Sequence, residues 1–379
     1  MLFKLFFMLK DTFGPFNLFR YVSFRVIAAL VTSLFICLFL YPWFIRKLQE
    51  RQIGQVIREE GPESHYSKAG TPTMGGVLIL LSVVVSTLLW ADLSNPFVGL
   101  ILVITVGFGV VGFIDDAMKL RGKNTAGLSG KVRLLIEFGL SGVMMYFLLT
   151  HEAFGYSSEL YFPFVSTEKF SLTLPILVYI PFMTVAIVGT GNAVNFTDGL
   201  DGLAIGPVII AAGTFLILAY SSATILSYDE VIQGEVVTRS FDVAKYLMIP
   251  QIPGVQELAI FCAAIIGAGL GFLWYNMFPA QVFMGDVGSL PLGGALGTMA
   301  VLTKHEILSV IIFGLFVTEA LSVIIQTVSF KLTGKRVFRM APIHHHYEKK
   351  NWPETRIVIR FWVIAMMLAL IALASLKIR

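Results

Sequence analysis

Two adjacent carboxylates, Asp115 and Asp116, follow the apolar run 97–114 in the segment GFIDDAMK. A carboxylate at the C-terminus of a helix opposes the helix dipole, at a cost of about 0.3–1 kcal/mol, so helix capping does not explain the pair. Adjacent acidic side chains with Lys119 one turn further on suit a divalent cation or a proton acceptor. The alternative is that both are ordinary solvated carboxylates at the start of a loop.

A third acidic side chain, Asp286, follows Gly285 in the segment QVFMGDVGSL. Aspartate is a common helix N-cap, because its charge and its acceptor oxygens suit the free N–H groups of a first turn. It is equally suited to hold a divalent cation. The residue by itself does not decide between capping and metal binding.

The glycine-rich segment GTGNAVNFTDGLDGLA carries Asp198 and Asp201. Glycines between carboxylates let the backbone approach a ligand closely. The spacing resembles part of a calcium-binding loop, but the bidentate Glu at the twelfth position of such loops is missing. A calcium-binding loop is therefore the weaker interpretation.

Three consecutive histidines, His344, His345 and His346, lie in the segment APIHHHYEKKNW. No Cys or Glu at zinc-ligand spacing accompanies them, so phosphate binding or proton transfer is favoured over a zinc site. The alternative is a solvated histidine run. Because Pro342 disfavours a helix locally, we expect the three rings to point in different directions and to contribute unequally.

Three lysines, Lys68, Lys119 and Lys131, provide point charges that suit phosphate groups. No GxxxxGK[ST] segment occurs in the sequence, which argues against a P-loop ATPase. Carboxylates for Mg²⁺, lysines for phosphates and glycines for close approach are together the parts of a phosphoryl-transfer site, in which catalysis is mainly positioning and charge neutralisation.

One polar stripe lies inside an apolar segment: Glu319, Ser322 and Gln326 are spaced three and four residues apart. That spacing places them on one face of a helix, which we expect to look into the protein. They either hydrogen-bond to a neighbouring helix or line a groove for a substrate.

Long apolar segments separate these side chains. The 379-residue chain is 56% hydrophobic and 14% charged, with a mean hydropathy of +0.80, whereas a soluble domain has about 25% charged residues. The sequence therefore predicts an all-α polytopic membrane protein and excludes a secreted disulfide scaffold, and its net charge of +4 does not indicate nucleic-acid binding. Both cysteines lie in apolar runs, which indicates no redox or thiolate-metal site.

A window of about 20 residues predicts ten spans within one domain, 1–379. The spans are 23–45, 74–91, 97–114, 133–150, 174–191, 203–221, 258–275, 288–303, 307–330 and 357–376.

Basic residues are unevenly divided between the nine predicted loops. The odd-numbered loops hold 17 of the 21 loop Lys and Arg, and positive loops stay in the cytoplasm, so both termini and the segment 222–257 are predicted to be extracytoplasmic. All the polar motifs except the intramembrane stripe lie on the cytoplasmic loops or their borders, which predicts one shared active site there and a lipid as one substrate. Residues 1–20 lack a cleavage site and are expected to form an interfacial helix.

The motifs GTPTMGG, DD, GTGNAVN, TDGLDGLA, FMGDVGSL and APIHHHYE, in this order and spacing, resemble the phospho-N-acetylmuramoyl-pentapeptide transferase family. The likeness extends from Phe16 to the end of the tenth span. The wider superfamily of polyprenyl-phosphate N-acetylhexosamine-1-phosphate transferases shares the paired aspartates, whereas the stretch from Pro342 to Trp352 is similar to the muramoyl branch. Phe196 and Asn351 depart from the family pattern, but neither change removes a group with obvious chemistry.

The resemblance implies an enzyme of the bacterial plasma membrane with Mg²⁺ as cofactor. It would transfer phospho-N-acetylmuramoyl-pentapeptide from UDP-N-acetylmuramoyl-pentapeptide to undecaprenyl phosphate, giving the first lipid-linked peptidoglycan precursor and UMP. The sequence does not decide between direct transfer and transfer through a covalent aspartyl intermediate.

The family also implies roles for individual residues. It assigns Asp286 to Mg²⁺, and it assigns Asp115, with Asp116 beside it, to the base or to the positioning of the lipid phosphate. The family also implies that the three histidines are catalytic, like these aspartates. Phe283 would stack on uracil while the Gly199–Leu200 backbone reads the edge of the base; the alternative is that Phe283 is interfacial packing. The implied substrate-binding residues are Lys68, Thr73, Lys119, Lys131, Asn195, Asp198, Gly199, Leu200, Asp201, Phe283 and Gln326.

Two other functions fit parts of the same pattern. A sibling transferase that uses a UDP-N-acetylhexosamine without the peptide would have similar residues around the metal. An ion-coupled transporter is suggested by Glu319 within an apolar segment, but transporters place ionisable groups near the midplane, whereas most of these lie in loops. The sequence does not decide the oligomeric state, and a homodimer is compatible with it.

Overall fold

The backbone is helical almost throughout. The computed structural model describes residues 2–51, 70–122, 127–232 and 235–378. Within these residues the α-helices are α1 (Leu2–Met8), α2 (Val22–Glu50), α3 (Gly76–Trp90), α4 (Pro96–Gly122), α5 (Gly130–Thr150), α6 (Ile176–Thr197), α7 (Ile205–Ser221), α8 (Val243–Leu247), α9 (Leu258–Asn276), α10 (Asp286–Leu302), α11 (Glu306–Ile312), α12 (Gly314–Thr333), α13 (Ile343–Glu348) and α14 (Glu354–Ala374).

The few strands form two small antiparallel pairs. One pair joins β1 (Glu159–Leu160) to β2 (Leu172–Thr173), and the other joins β3 (Ile225–Ile232) to β4 (Glu235–Asp242). The second pair is a hairpin inside the segment 222–257, which was predicted only as an extracytoplasmic loop. It adds local β structure to a chain whose predicted all-α class is confirmed.

The helices explain the apolar composition of the chain. Seven of the described helices are long and apolar enough to cross a membrane, and the shorter apolar helices α3, α7 and α10 coincide with three further predicted spans. Each predicted span therefore corresponds to helical structure, and the multi-pass membrane architecture is confirmed. The number of crossings and the side of each terminus stay predictions.

Helix α10 lies at the centre of the bundle, where it packs against α4, α6 and α3. It is buried along almost its whole length, and small residues let its neighbours come close, as is usual for helices packed inside a membrane. A Cβ on Gly76 of α3 would overlap the backbone of Gly288. The glycines of this helix and its neighbours are thus the reason it can be central.

Several predicted boundaries are wrong. Helices α2 and α6 continue to Glu50 and Thr197, past the predicted ends at 45 and 191. The third span was expected to end at residue 114, but α4 continues to Gly122, so the aspartate pair lies within the helix rather than at its C-terminus. The ninth span, expected as 307–330, is interrupted at Phe313 between α11 and α12. Asp115 and Asp116 can lie inside α4 because their carboxylates accept N–H groups from other segments, those of Leu128 and Val287.

The N-terminus forms α1 followed by a 3₁₀ helix, Gly14–Arg20. The two are joined by ring contacts, with the Phe6 and Phe19 centroids 4.6 Å apart. Lys4 contacts Asp92, 3.2 Å away, and so ties this segment to the α3–α4 connection. An interfacial position for residues 1–20 stays a prediction.

Candidate active site

Three predicted carboxylates converge where α4 meets the start of α10. Ligand oxygens of Asp115, Asp116 and Asp286 all lie within 4.8 Å of one another. Asp115 and Asp116 are buried, with 2% and 6% of their surface exposed. Although 170 residues of sequence separate the pair from Asp286, the fold places the three groups at one point.

The backbone of α10 is held against α4 at this point. The Val287 N–H donates a hydrogen bond to Asp116 Oδ2, 3.0 Å away. Gly112 makes the approach possible, because a Cβ there would overlap the Asp286 carbonyl. Asp116 therefore caps a helix other than its own, which corrects the expectation that the pair does not cap.

Asp286 itself does not cap α10. The residue before the helix is Gly285, at φ +74°, and no side chain of the N-cap residue bonds the first turn. The Asp286 carboxylate instead faces the cluster, where Oδ1 accepts from Asn195 Nδ2 at 2.6 Å. Asn195 Nδ2 also lies 2.8 Å from Ser289 Oγ. Of the two roles left open by the sequence, capping of α10 is excluded by this geometry, which leaves metal binding.

Lys119 neutralises part of this negative charge. Its Nζ lies 2.5 Å from Asp115 Oδ2 and 2.7 Å from Asp286 Oδ2. The second oxygen of Asp115 accepts the Leu128 N–H at 2.7 Å. Lys119 was expected to contact phosphate; in the structure it pairs with the carboxylates, and a contact with phosphate stays a prediction.

Sequence analysis missed a second cationic group, Arg133. Its Nη1 lies 3.6 Å from Asp286 Oδ2, and its Nη2 donates to Asn192 Oδ1 at 2.9 Å. Asn192 in turn donates to Glu137, a fully buried carboxylate on α5, at 2.7 Å. The available signal was the i, i+4 spacing of Arg133 and Glu137, which alone indicates only an ordinary helix ion pair.

In the loop after α6, Asp198 and Asp201 have different environments. Burial, together with the negative charges of Asp286, Asp116 and Asp201, raises the pKa of Asp198 to about 8. Asp201 is tied to the backbone: its Oδ2 accepts the Ala280 N–H at 2.9 Å. Asp198 thus belongs electrostatically to the carboxylate cluster, whereas Asp201 joins two loops.

The two residues between them face different partners. Gly199 lies against His344, since a Cβ on Gly199 would overlap the Nε2 atom of that ring. The Leu200 side chain is buried in a small apolar core with Leu203, Ile357 and Phe361. The Leu200 side chain is therefore not available to a ligand, and a contact of the Gly199–Leu200 backbone with the base stays a prediction.

Phe283 pairs with the segment that leads into α3. Its N–H donates to the Pro72 carbonyl, and its own carbonyl accepts from the Gly75 N–H, each at 2.8 Å. Phe283 and Thr73 are both partly exposed. This pairing brings two distant motifs, GTPTMGG and FMGDVG, side by side at the rim of the carboxylate cluster.

The other predicted lysines lie apart from the cluster or outside the described residues. Lys131 is exposed in the first turn of α5, and within the described parts of the chain it forms no ion pair with the aspartates. Lys68 lies outside the described residues. Of the three lysines, Lys119 is the one that the structure places among the carboxylates.

The histidine triplet is helical, which corrects the expectation drawn from Pro342. All three residues lie in α13, and Pro342 precedes the first turn, a position where a missing N–H costs nothing. The rings nevertheless diverge as expected. His345 Nδ1 lies 2.5 Å from Glu348 Oε2, and His346 Nδ1 accepts the Arg339 N–H at 3.1 Å.

Gln326 braces the chain that leads to the triplet. Its Oε1 accepts the N–H groups of Val337 and Phe338 at 3.0 and 2.9 Å, and its Nε2 donates to the Phe338 carbonyl. Glu319, two turns earlier on the same face, contacts His344. The polar stripe of α12 therefore bonds the α12–α13 connection and α13. This arrangement favours hydrogen bonding between elements over the alternative, a groove for a substrate.

Comparison with known proteins agrees with this arrangement of motifs. The family model described as glycosyl transferase family 4 matches residues 98–304, and phospho-N-acetylmuramoyl-pentapeptide-transferase signature 1 matches residues 68–80. Proteins named phospho-N-acetylmuramoyl-pentapeptide-transferase from Sorangium cellulosum, Syntrophus aciditrophicus and Geobacter sp. strain M21 are 53%, 52% and 52% identical to the chain, and each alignment covers 100% of both proteins. Such identity along the full length confirms the resemblance seen in the motifs. The chain belongs to the phospho-N-acetylmuramoyl-pentapeptide transferase family.

Proposed function

We propose that this chain transfers phospho-N-acetylmuramoyl-pentapeptide from its UDP derivative to undecaprenyl phosphate in the bacterial plasma membrane. The products are UMP and the first lipid-linked precursor of peptidoglycan. The observation that carries the proposal is the convergence of Asp115, Asp116 and Asp286 in a chain that is about half identical, along its full length, to transferases of this name.

The donor set fits Mg²⁺. Carboxylate oxygens are the ligands that this hard cation prefers, usually from one or two carboxylates together with substrate phosphates. Asp286 would hold the ion, with Asp115 and Asp116 beside it. When bound, Mg²⁺ supplies positive charge that lets two anionic substrates approach and that stabilises the charge developing on the leaving group.

We place the acceptor phosphate beside Asp115. The Leu128 N–H and Lys119 fix the orientation of this carboxylate, so it can hold the proton of a lipid phosphate or position its oxygen. That oxygen attacks the phosphorus that bears the sugar. A new P–O bond forms, the P–O bond to the UMP phosphate breaks, and UMP leaves with the electron pair.

The donor diphosphate is expected beside the two cationic side chains. Lys119 and Arg133 both approach Asp286 Oδ2, and cations placed there offset the charge of the diphosphate. Asn195 and Asp198, at the end of α6, and the rim residue Phe283 would contact the nucleotide. Their common location around one cluster supports this assignment.

A release assay with two donors tests the function. The purified protein is given undecaprenyl phosphate, Mg²⁺ and either UDP-N-acetylmuramoyl-pentapeptide or UDP-N-acetylglucosamine, and UMP is measured. We expect UMP from the first donor only, with loss of activity when the metal is chelated. Release of UMP from the peptide-free donor alone would identify a sibling transferase instead.

A further inference from the structure

Helix α12 contains one carboxylate, Glu319, that is fully buried although the helix is otherwise largely exposed. Apolar side chains such as Leu321, Ile324 and Val328 cover its outer face, each with 47% or more of its surface exposed. An ionisable group inside such a segment is costly and is retained when it has a partner with a function.

The partner of Glu319 is the first histidine of the triplet. Glu319 Oε1 lies 3.1 Å from His344 Nδ1, and both side chains are completely buried. The other ring nitrogen, Nε2, has no hydrogen-bond partner among the described residues. It points at Gly199, where no Cβ would fit.

A carboxylate on one ring nitrogen fixes both the orientation of an imidazole and the position of its proton. The contact of Glu319 with Nδ1 holds the ring in place, and Nε2 is kept against the loop that contains Gly199. The buried pair Glu319 and His344 and the partly exposed Gly199 therefore form a continuous column from helix α12 to the loop 198–201, where the donor is proposed to bind.

We infer that Glu319 is a positioning residue for the nucleotide donor, acting through His344 on the donor loop. The inference rests on the proposed function. Glu319 should affect the donor and not the acceptor. The groups that orient Asp115, the Leu128 N–H and Lys119, form no hydrogen bond or ion pair with the column in the described parts of the chain. Loss of the Glu319 charge should therefore weaken donor binding and leave acceptor binding unchanged.

Steady-state kinetics of Glu319→Gln test the inference. This variant keeps the size of the side chain and removes its charge. We expect the KM for the UDP donor to rise about 10-fold, the low end of the effect seen when the hydrogen-bond partner of a functional histidine is lost. The fall in kcat should be smaller than this rise, and the KM for undecaprenyl phosphate should stay within about twofold of the parent. Thr318→Ala is the matched control, since this neighbouring exposed hydroxyl bonds the Gly314 carbonyl of its own helix, and it should leave all three constants unchanged.

A double variant tests whether Glu319 acts through the histidine. If it does, Glu319→Gln combined with His344→Ala raises the donor KM no further than His344→Ala alone, because coupled residues are not additive. Gly199→Ala, which crowds Nε2 from the loop side, should reproduce the selective rise in donor KM. Thermal melting of each variant in detergent checks that the fold is retained.

Three results would overturn the inference: an unchanged donor KM in Glu319→Gln, equal changes for donor and acceptor, or additive effects in the double variant. The parent chain is assayed first. An inactive parent counts against the proposed function, whereas an active parent with any of these three results counts against the positioning role alone.

Discussion

The Asp116 carboxylate on α4 accepts the Val287 N–H at the first turn of α10, across a distance of 3.0 Å. This contact sets where α10 begins and hence where Asp286 lies.

Replacing Asp116 by Ala removes the cap and should cost about 1 kcal/mol of stability, measurable as a lower melting temperature in detergent. Asp116→Asn keeps an acceptor oxygen and should melt close to the parent. Equal melting temperatures for all three proteins would contradict the capping role.

Asp286→Asn tests the metal assignment. Asn can still accept from Asn195, but it lacks the charge that holds Mg²⁺, so UMP release should fall at least ~100-fold if several kcal/mol of charge stabilisation is lost. Asp242→Asn is a suitable control, because this aspartate caps the short helix α8, remote from the cluster in sequence and structure. Near-normal turnover of Asp286→Asn would remove Asp286 from the metal site.

Arg133 should be required for transfer although it lies outside the motifs recognised in the sequence. A hydrogen bond to a charged group contributes about 1.5–3 kcal/mol, so Arg133→Ala should lower kcat/KM by roughly 10- to 100-fold. Arg133→Lys should rescue it only in part, because an ammonium cannot bond Asn192 and face Asp286 as a planar guanidinium does. Arg121→Ala, at an exposed arginine near the end of α4, serves as the control. Full activity of Arg133→Ala would show that Lys119 alone balances the carboxylates.

Asp198 should make the stability of the metal-free protein depend on pH. Its pKa is raised from 3.8 to about 8, so between these values the folded protein binds more protons than the unfolded chain, and stability falls as pH rises. Asp198→Asn removes this contribution. Its melting temperature in EDTA should exceed that of the parent at pH 8, with a smaller difference at pH 5. A difference that is constant with pH would contradict the raised pKa.

Cysteine labelling tests the predicted topology. Cys37 and Cys262 are buried, so single cysteines introduced at the exposed residues Ser240 and Lys335 can be followed separately. An impermeant maleimide should label Ser240→Cys in intact spheroplasts and Lys335→Cys only after permeabilisation. Labelling of both sites from the outside would contradict the cytoplasmic location of the active site.

The apolar segments could be located from sequence because a helix that crosses a bilayer must be continuously apolar over about 20 residues. Every predicted span therefore coincides with helical structure. Span ends were less predictable. The polarity of Asp115 and Asp116 suggested the end of a helix, but α4 continues beyond them, since Asp116 is satisfied by α10 and Asp115 by the Leu128 N–H and Lys119.

The sequence by itself determined the family and the residue types of the site, because the motifs combine unusual polar groups in a fixed order. Only the tertiary structure decided which groups act together. Asp286 faces the cluster instead of capping its own helix. Asp201 bonds the backbone of another loop, whereas Asp198 lies with the carboxylates. Arg133, which belongs to none of the motifs, approaches Asp286. These distinctions depend on contacts between elements that are 59 to 171 residues apart in the chain. Local patterns of polarity report which face of a helix is buried, but they do not report which partner lies opposite that face.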